Sequence, residues 1–263
     1  MAPRRLLLHA GPHKTGTSSI QAILRDRGFK SFYYPRTGQW YDGAHHQLIF
    51  SLIPELRRPD GESIEPNDLE MLLKTELESV KHDTLLISSE YLSGECLPRV
   101  LDWLISRQIA DPKDVRGILV ERDMLSRAAS LYNQSVKDPY IGERRSPDQW
   151  FHDERSNLLL EPMVNRMRSA GIMVDVLPYE PASSLASRFL LAVGAHADEI
   201  PEQIPWENMS MSKSVLLALL DINRSIADPL ERIAQRTRLF ETHQPAFELS
   251  TATLFSCSSE PMH

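Results

Sequence analysis

LLLHAGPHKTGTSSIQ, residues Leu6–Gln21, is the stretch whose reading decides the fold of this chain. Arg4–His9, with its apolar run, reads as a buried strand. A turn bounded by Gly11 and Gly16 follows, and Thr17 opens a helix predicted to reach Arg27. Ile20, Ile23 and Leu24 fall at i, i+3, i+4 spacing and give that helix one apolar face. The turn nearly spells the phosphate loop G-x-x-x-x-G-K-[ST]. Gly11 and Gly16 have the right spacing, but Thr17 stands where that motif carries its lysine, and Lys14 lies inside the turn.

Further along, short apolar runs alternate with helical periodicity. Phe32–Tyr34 reads as a second strand stopped by Pro35, Thr84–Ser88 as a third, Ile118–Glu121 as a fourth and Met173–Leu177 as a fifth. Gly28 suits a left-handed cap on the first helix. Asn67 suits the cap of a helix whose stripe is Leu69, Leu72, Leu73, Leu77 and Val80. Met124–Val136, Leu158–Ser169 (ended by Gly171), Ser183–Val193 and Ser214–Asn223 read as further helices. Strands alternating with helices predict an α/β fold of the P-loop type: three layers, with a central, mostly parallel sheet covered on both faces. Residues 1–225 are expected to form the α/β domain, and 226–263 a C-terminal helical extension and tail of the same domain. The tail after Gln244 has weak periodicity.

Composition narrows the partners. Acidic residues outnumber basic ones, 36 to 29, for a net charge of −7, which argues against a nucleic-acid or anionic-membrane surface. Cys96 and Cys257 are too few and too far apart for a disulfide framework or a zinc site. The N-terminal apolar run is too short for a signal segment, and no run approaches a transmembrane length. These features predict a cytoplasmic protein.

The loop predicts an anion site. A strand–turn–helix with glycine at both edges points successive N–H groups into one concavity, and the helix dipole adds roughly half a positive charge there. Thr15, Thr17, Ser18 and Ser19 add hydroxyls. With no lysine at Thr17's position and no Asp at a strand end to complete a magnesium site, the bound charge is managed by Lys14, not by a metal. A second stretch, RDMLSRAASLYNQ (Arg122–Gln134), puts Arg122 at the end of a strand and Ser130 eight residues on, within a helix. An arginine fork and a serine hydroxyl suit a phosphate.

Together, GPHKTGTSSIQ (Gly11–Gln21) and Arg122–Gln134 resemble the sulfotransferases that use 3′-phosphoadenosine 5′-phosphosulfate (PAPS). The likeness is closest to bacterial members with a His-Lys-Thr-Gly-Thr loop. It departs at Met124, where the family usually has proline, and it extends more weakly through Leu177–Glu180, Phe189–Ala195 and Glu207–Asn223. The resemblance implies that Gly11, His13, Lys14, Thr15, Gly16, Thr17 and Ser18 hold the 5′-phosphosulfate and that Lys14 stabilises the leaving phosphate. It implies Arg122 and Ser130 on the 3′-phosphate, with Ser210 a weaker candidate in a closing loop near Ser212 and Lys213. PAPS is then the donor substrate, and no metal is required.

The expected reaction moves a sulfuryl group to an acceptor hydroxyl of a carbohydrate, lipid or small molecule. Glu90, just past the third strand, is the candidate base, with a raised pKa expected from partial burial near the donor's charge; pairing with Arg122 or capping the next segment is its structural alternative. His46, in GAHHQL, is the rival base. Tyr33, Tyr34, Trp40 and Tyr41 cluster with His45 and His46 as a possible acceptor rim, and Tyr140–Trp150 reads as a loop, either a lid or plain surface. Two other classes fit less well: a P-loop small-molecule kinase, and an inactive protein that binds 3′,5′-bisphosphoadenosine (PAP). Oligomeric state is not readable from the sequence.

Overall fold

A computed structural model describes residues 2–57, 63–180, 182–202 and 213–242. Ser210, Ser212, Cys257 and the tail after Gln244 lie outside the described residues. In chain order the elements are β1 (Arg4–His9), α1 (Thr17–Asp26), α2 (His46–Leu52), α3 (Pro66–Glu78), β2 (Thr84–Ser88), α4 (Leu97–Ser106), β3 (Ala110–Glu121), α5 (Met124–Lys137), α6 (Pro147–Glu154), α7 (Glu161–Ser169), β4 (Met173–Pro178), α8 (Ala182–Ala192), α9 (Lys213–Ser225) and α10 (Pro229–Thr242).

The chain divides into two compact units. The first, Met1–Glu121 with Leu160–Glu207, holds a four-stranded sheet in the order β2-β1-β3-β4, and every pairing is parallel. Alternation along β1 sends Leu6, Leu8 and Ala10 to one face and Leu7 to the other. The first face packs against α2, α3, α4 and α7, through residues such as Leu48, Leu73, Leu104 and Met167. The second packs against Ile20, Ile23 and Leu24 of α1 and Phe189 and Leu190 of α8. This is the expected three-layer α/β arrangement. Gly117 lets α7 close on the sheet, because a Cβ there would stand 2.3 Å from Met167 Cε. Arg4, at the start of β1, donates to the carbonyls of Leu77 (2.7 Å) and Val80 (3.0 Å), tying the end of α3 to the sheet.

Several local expectations are corrected. Phe32–Tyr34 is not a strand: only Tyr33 bridges, to Leu85. Pro35 offers no N–H, and the Glu76 carboxylate takes the N–H groups of Arg36 (2.7 Å) and Thr37 (2.9 Å), drawing the backbone away from the ladder. The first helix ends at Asp26 with Arg27 extended (φ −129°), so no left-handed glycine cap forms at Gly28. Such conformations occur instead at Gly171 (φ 77°) and Gly194 (φ 92°). Pro66 starts α3 after Glu65 at the cap, which puts Asn67 inside the first turn; Leu72 is exposed there. The segment before α7 splits off as a separate turn, Arg155–Leu158. The fourth strand begins as early as Ala110, and a further helix, α4, precedes it with Pro98 in its first turn, where proline is tolerated.

The second unit, Arg122–Leu159 with Asn208–His263, is helical among the described residues. Tyr132, Val136, Trp150, Leu216 and Leu219 lie in its core. The helix expected after residue 225 is α10, and its buried Arg236 closes the end of α5. Arg236 donates to the carbonyls of Val136 (2.7 Å) and Lys137 and to Asn223 Oδ1 (2.7 Å). Asn223 in turn donates to Val136 O (3.1 Å) and Glu143 O (2.9 Å). Removing Arg236 would strand buried acceptors and take a cation from a helix C-terminus. Arg236→Met is therefore expected to lower stability by about 2–4 kcal/mol in urea denaturation, and Arg236→Lys by less. An Arg236→Met protein as stable as wild type would contradict this role.

Candidate active site

The phosphate-type loop stands where the sequence places it, between β1 and α1. Gly16 occupies the cap position of α1 in a left-handed conformation (φ 83°), with no side-chain cap and no acidic residue in the first turn. A side chain at Gly16 would meet Leu185 Cδ2 at 2.7 Å, so both backbone and space demand glycine. Lys14 is also left-handed (φ 68°), a conformation that costs a non-glycine residue about 1 kcal/mol or more. Thr15 is buried and donates to Pro12 O (2.7 Å), closing the turn from inside. Gly11 is required at the other edge, where a Cβ would stand 2.7 Å from Thr17 Cγ2 and 2.8 Å from His9 Nε2.

β2 delivers the second half of the site. The parallel register sets His9 beside Ser88, so the chain leaves β2 next to the loop. Ser89 caps a 3-10 turn, Glu90–Ser93, accepting from Tyr91 N (3.3 Å). Glu90, 7% exposed, accepts a hydrogen bond from the Thr17 hydroxyl on Oε1 and from Gln21 Nε2 on Oε2 (3.3 Å). His46, the first residue of α2, brings Nε2 to 3.4 Å from Glu90 Oε2 and 3.7 Å from Asp42 Oδ2, while Nδ1 lies 2.9 Å from Ser89 Oγ. Glu90 and His46, read from sequence as rivals, are members of one cluster.

The electrostatics differ from expectation. Burial alone would raise the Glu90 pKa. Attraction to His46 and His13 and the Thr17 hydrogen bond outweigh it, and the carboxyl is pulled down to about 2. Glu90 is therefore a carboxylate at neutral pH. Its ionic neighbour within the first unit is His46.

A buried polar layer that sequence reading missed supports the cluster. His9 Nδ1 lies 2.8 Å from Ser88 Oγ, which also accepts from Gln21 Nε2 (3.1 Å). Ser88 N donates to His45 Nδ1 (3.2 Å), so the proton of His45 sits on Nε2, which donates to Pro35 O (2.9 Å). Burial pushes both imidazoles, His9 and His45, down to about 4. One signal for this layer was available: Gln21 lies four residues after Thr17, on the same helix face.

The aromatic rim is mostly structural. Tyr34 is buried and donates to Gly43 O (2.6 Å); Tyr33 donates to Glu76 (2.7 Å). Trp40 does approach His46, with ring centroids 5.9 Å apart, and Tyr41 is exposed. An open cleft of about 540 Å³ lies beside Glu90 instead, with His13, Tyr91, Ile53 and Leu56 among its lining residues.

Arg122 and Ser130 belong to the second unit, Arg122 just before the α5 cap residue Asp123 and Ser130 within α5, both partly buried. Arg127, in α5, is buried and donates to Leu158 O (2.8 Å). Tyr140–Trp150 is not a free loop. Arg145 pairs with Glu143 (2.7 Å), Asp153 (3.1 Å) and Glu154 (3.2 Å), and α6 begins at Pro147.

No family model matches the chain, and no curated protein matches it. Among the described residues no group of three or more His, Cys, Asp or Glu is placed to hold a metal ion, and no helix is long and apolar enough to cross a membrane.

The buried groups set the acid response. His9 and His45 fold as neutral imidazoles with pKa values near 4, against an ordinary value of about 6.5, so their contribution is complete above pH 6.5 and is lost as pH falls toward 4. Each adds a slope approaching roughly 1.4 kcal/mol per pH unit in that window. Glu90, depressed to about 2 from 4.5, contributes above pH 4.5 and loses its contribution as pH falls toward 2. Urea unfolding at stepped pH should show stability falling from pH 6.5 downward, with His9→Leu removing about half of the slope between 6.5 and 4. A flat profile in that window would contradict the assignment.

Proposed function

We propose that this chain is a PAPS-dependent sulfotransferase, transferring the sulfuryl group to an acceptor hydroxyl or amine. The observation that carries the reading is the hydrogen bond from Thr17 to Glu90. It holds an ionised, buried carboxylate against the first residue of a helix whose N-terminus and glycine loop suit a phosphosulfate. Each part of the reaction then has a residue. Lys14 and the loop N–H groups from His13 to Ser18 take the charge that grows on the 5′-phosphate as the sulfur–oxygen bond to it breaks. The acceptor oxygen attacks sulfur in line, and its proton passes to Glu90. Products are the sulfated acceptor and PAP. On sequence grounds alone, Arg122 and Ser130 keep the 3′-phosphate role.

A carboxyl held near 2 is a weak base in the empty site. Donor binding changes that, because a polyanion beside Glu90 raises its proton affinity while leaving it ionised. His46 acts as a positioning residue: it lies against Glu90 Oε2, is anchored by Ser89, and keeps the carboxylate charged.

In a labelled-PAPS assay against fractionated acceptors, Lys14→Ala is expected to lower turnover by about a hundredfold or more, with a much smaller change in PAP affinity. His46→Ala should move the acid limb of kcat to higher pH, because Glu90 loses a group that depresses its pKa; Glu90→Gln should remove turnover. PAP should raise Tm without magnesium, and ATP should not. Near-normal turnover in Lys14→Ala, or stabilisation by ATP with magnesium instead of PAP, would overturn the reading. PAP binding with no transfer to any acceptor would mark an inactive binding protein.

A further inference from the structure

The cleft beside Glu90 has a chemical character of its own. Its apolar wall is Ile53, Leu56 and the ring of Tyr91. His13 sits at its edge, with its ring 6.0 Å from that of Tyr91 in a T-shaped contact. Three carboxylates line it, from Glu55, Glu90 and Glu95, against a single guanidinium, Arg99. Arg99 is committed: it lies 3.5 Å from Glu55 and donates to Leu52 O at 3.1 Å. That pairing cancels Glu55, so Glu90 and Glu95 leave the formal balance of the lining carboxylates and guanidinium negative, with Glu90 belonging to the reactive cluster; Arg166 reaches the edge only through its hydrogen bond to Ser93 O (2.8 Å). At about 540 Å³ the cleft is the size of a small-molecule site, not of a polymer track.

Resting on the sulfotransferase reading, we infer that this cleft is the acceptor site and that it selects a small amphipathic alcohol or amine that is cationic or uncharged, and rejects anionic acceptors. Two physical terms give the preference. The carboxylates repel an anion in a partly desolvated cleft, and a donor polyanion seated in the Gly11–Thr17 loop adds to that repulsion. A cation gains from the same charges. The apolar wall favours an acceptor with a hydrocarbon or ring portion over a fully hydroxylated one.

Three phenols of matched size test this by calorimetric binding to the full chain at pH 7: tyramine, 4-ethylphenol and 3-(4-hydroxyphenyl)propionate. Tyramine is expected to bind best, 4-ethylphenol next, and the propionate at least about tenfold more weakly than tyramine at low salt. Glu95 is exposed and outside the reactive cluster, so Glu95→Lys should keep the fold and shrink that ratio severalfold. Leu56→Trp, which fills the cleft from its exposed edge, should abolish binding of all three. The inference is overturned if the propionate binds as tightly as tyramine, if no probe binds, or if Leu56→Trp leaves binding unchanged in a folded protein. PAP binding measured in the same samples separates the two claims. Failure of PAP to bind while the charge order holds removes the sulfotransferase reading and leaves the cleft's selectivity; PAP binding with the order reversed does the opposite.

Discussion

The hydrogen bond between Thr17 and Glu90 joins the first residue of α1 to the first residue of the 3-10 turn that follows β2, and the geometry of the site depends on it. Neither end is free to drift. Thr17 is fixed by a glycine cap whose left-handed backbone no larger residue would adopt cheaply. Glu90 follows Ser88, which is locked beside His9 by the parallel register. The sheet thus does more than supply a core. It sets the two chain crossings, after β1 and after β2, at the same level of the carboxyl edge, where α/β sheets bind their ligands.

Burying this much polarity is costly unless each group is matched. The layer beneath the loop meets most of that cost in two ways, with His9 Nε2 left buried without a hydrogen-bond partner. His9 and His45 are held neutral, one against Ser88 Oγ and the other between Ser88 N and Pro35 O. Glu90 is instead held charged, with the Thr17 hydroxyl, the Gln21 amide and His46 around it. Two histidines kept neutral beside one carboxylate kept ionised place a single negative charge where the loop presents donors for another. Lys14 belongs to the same short turn, left-handed at φ 68°.

The architecture was largely legible in the sequence because β1, β2 and β4 are short apolar runs with clear punctuation, and Thr17, Ile20, Ile23 and Leu24 mark a helix face without ambiguity. The failures have local causes. Phe32–Tyr34 has strand residues but gives its neighbours' N–H groups to Glu76, a partner some forty positions away that no local pattern shows. The loop residues and Glu90 were legible from spacing and strand ends. The Gln21–Ser88–His9 layer was not, because it depends on register, nor was the low pKa of Glu90 in the donor-free site, which His46, His13 and the Thr17 hydrogen bond set from distant positions in the chain. The aromatic rim failed for the same reason: Tyr34 points into the core, and Tyr91 lines the cleft instead.

The central claim is that the Gly11–Thr17 loop holds the phosphate end of PAPS against an ionised Glu90. A crystal structure of the chain with PAP bound tests it most directly. The account predicts the 5′-phosphate within hydrogen-bonding distance of the loop N–H groups and of Lys14, with the Glu90 carboxylate facing the position the sulfuryl group would occupy. PAP seated away from the loop, or in the loop with Glu90 turned away from that position, would contradict it.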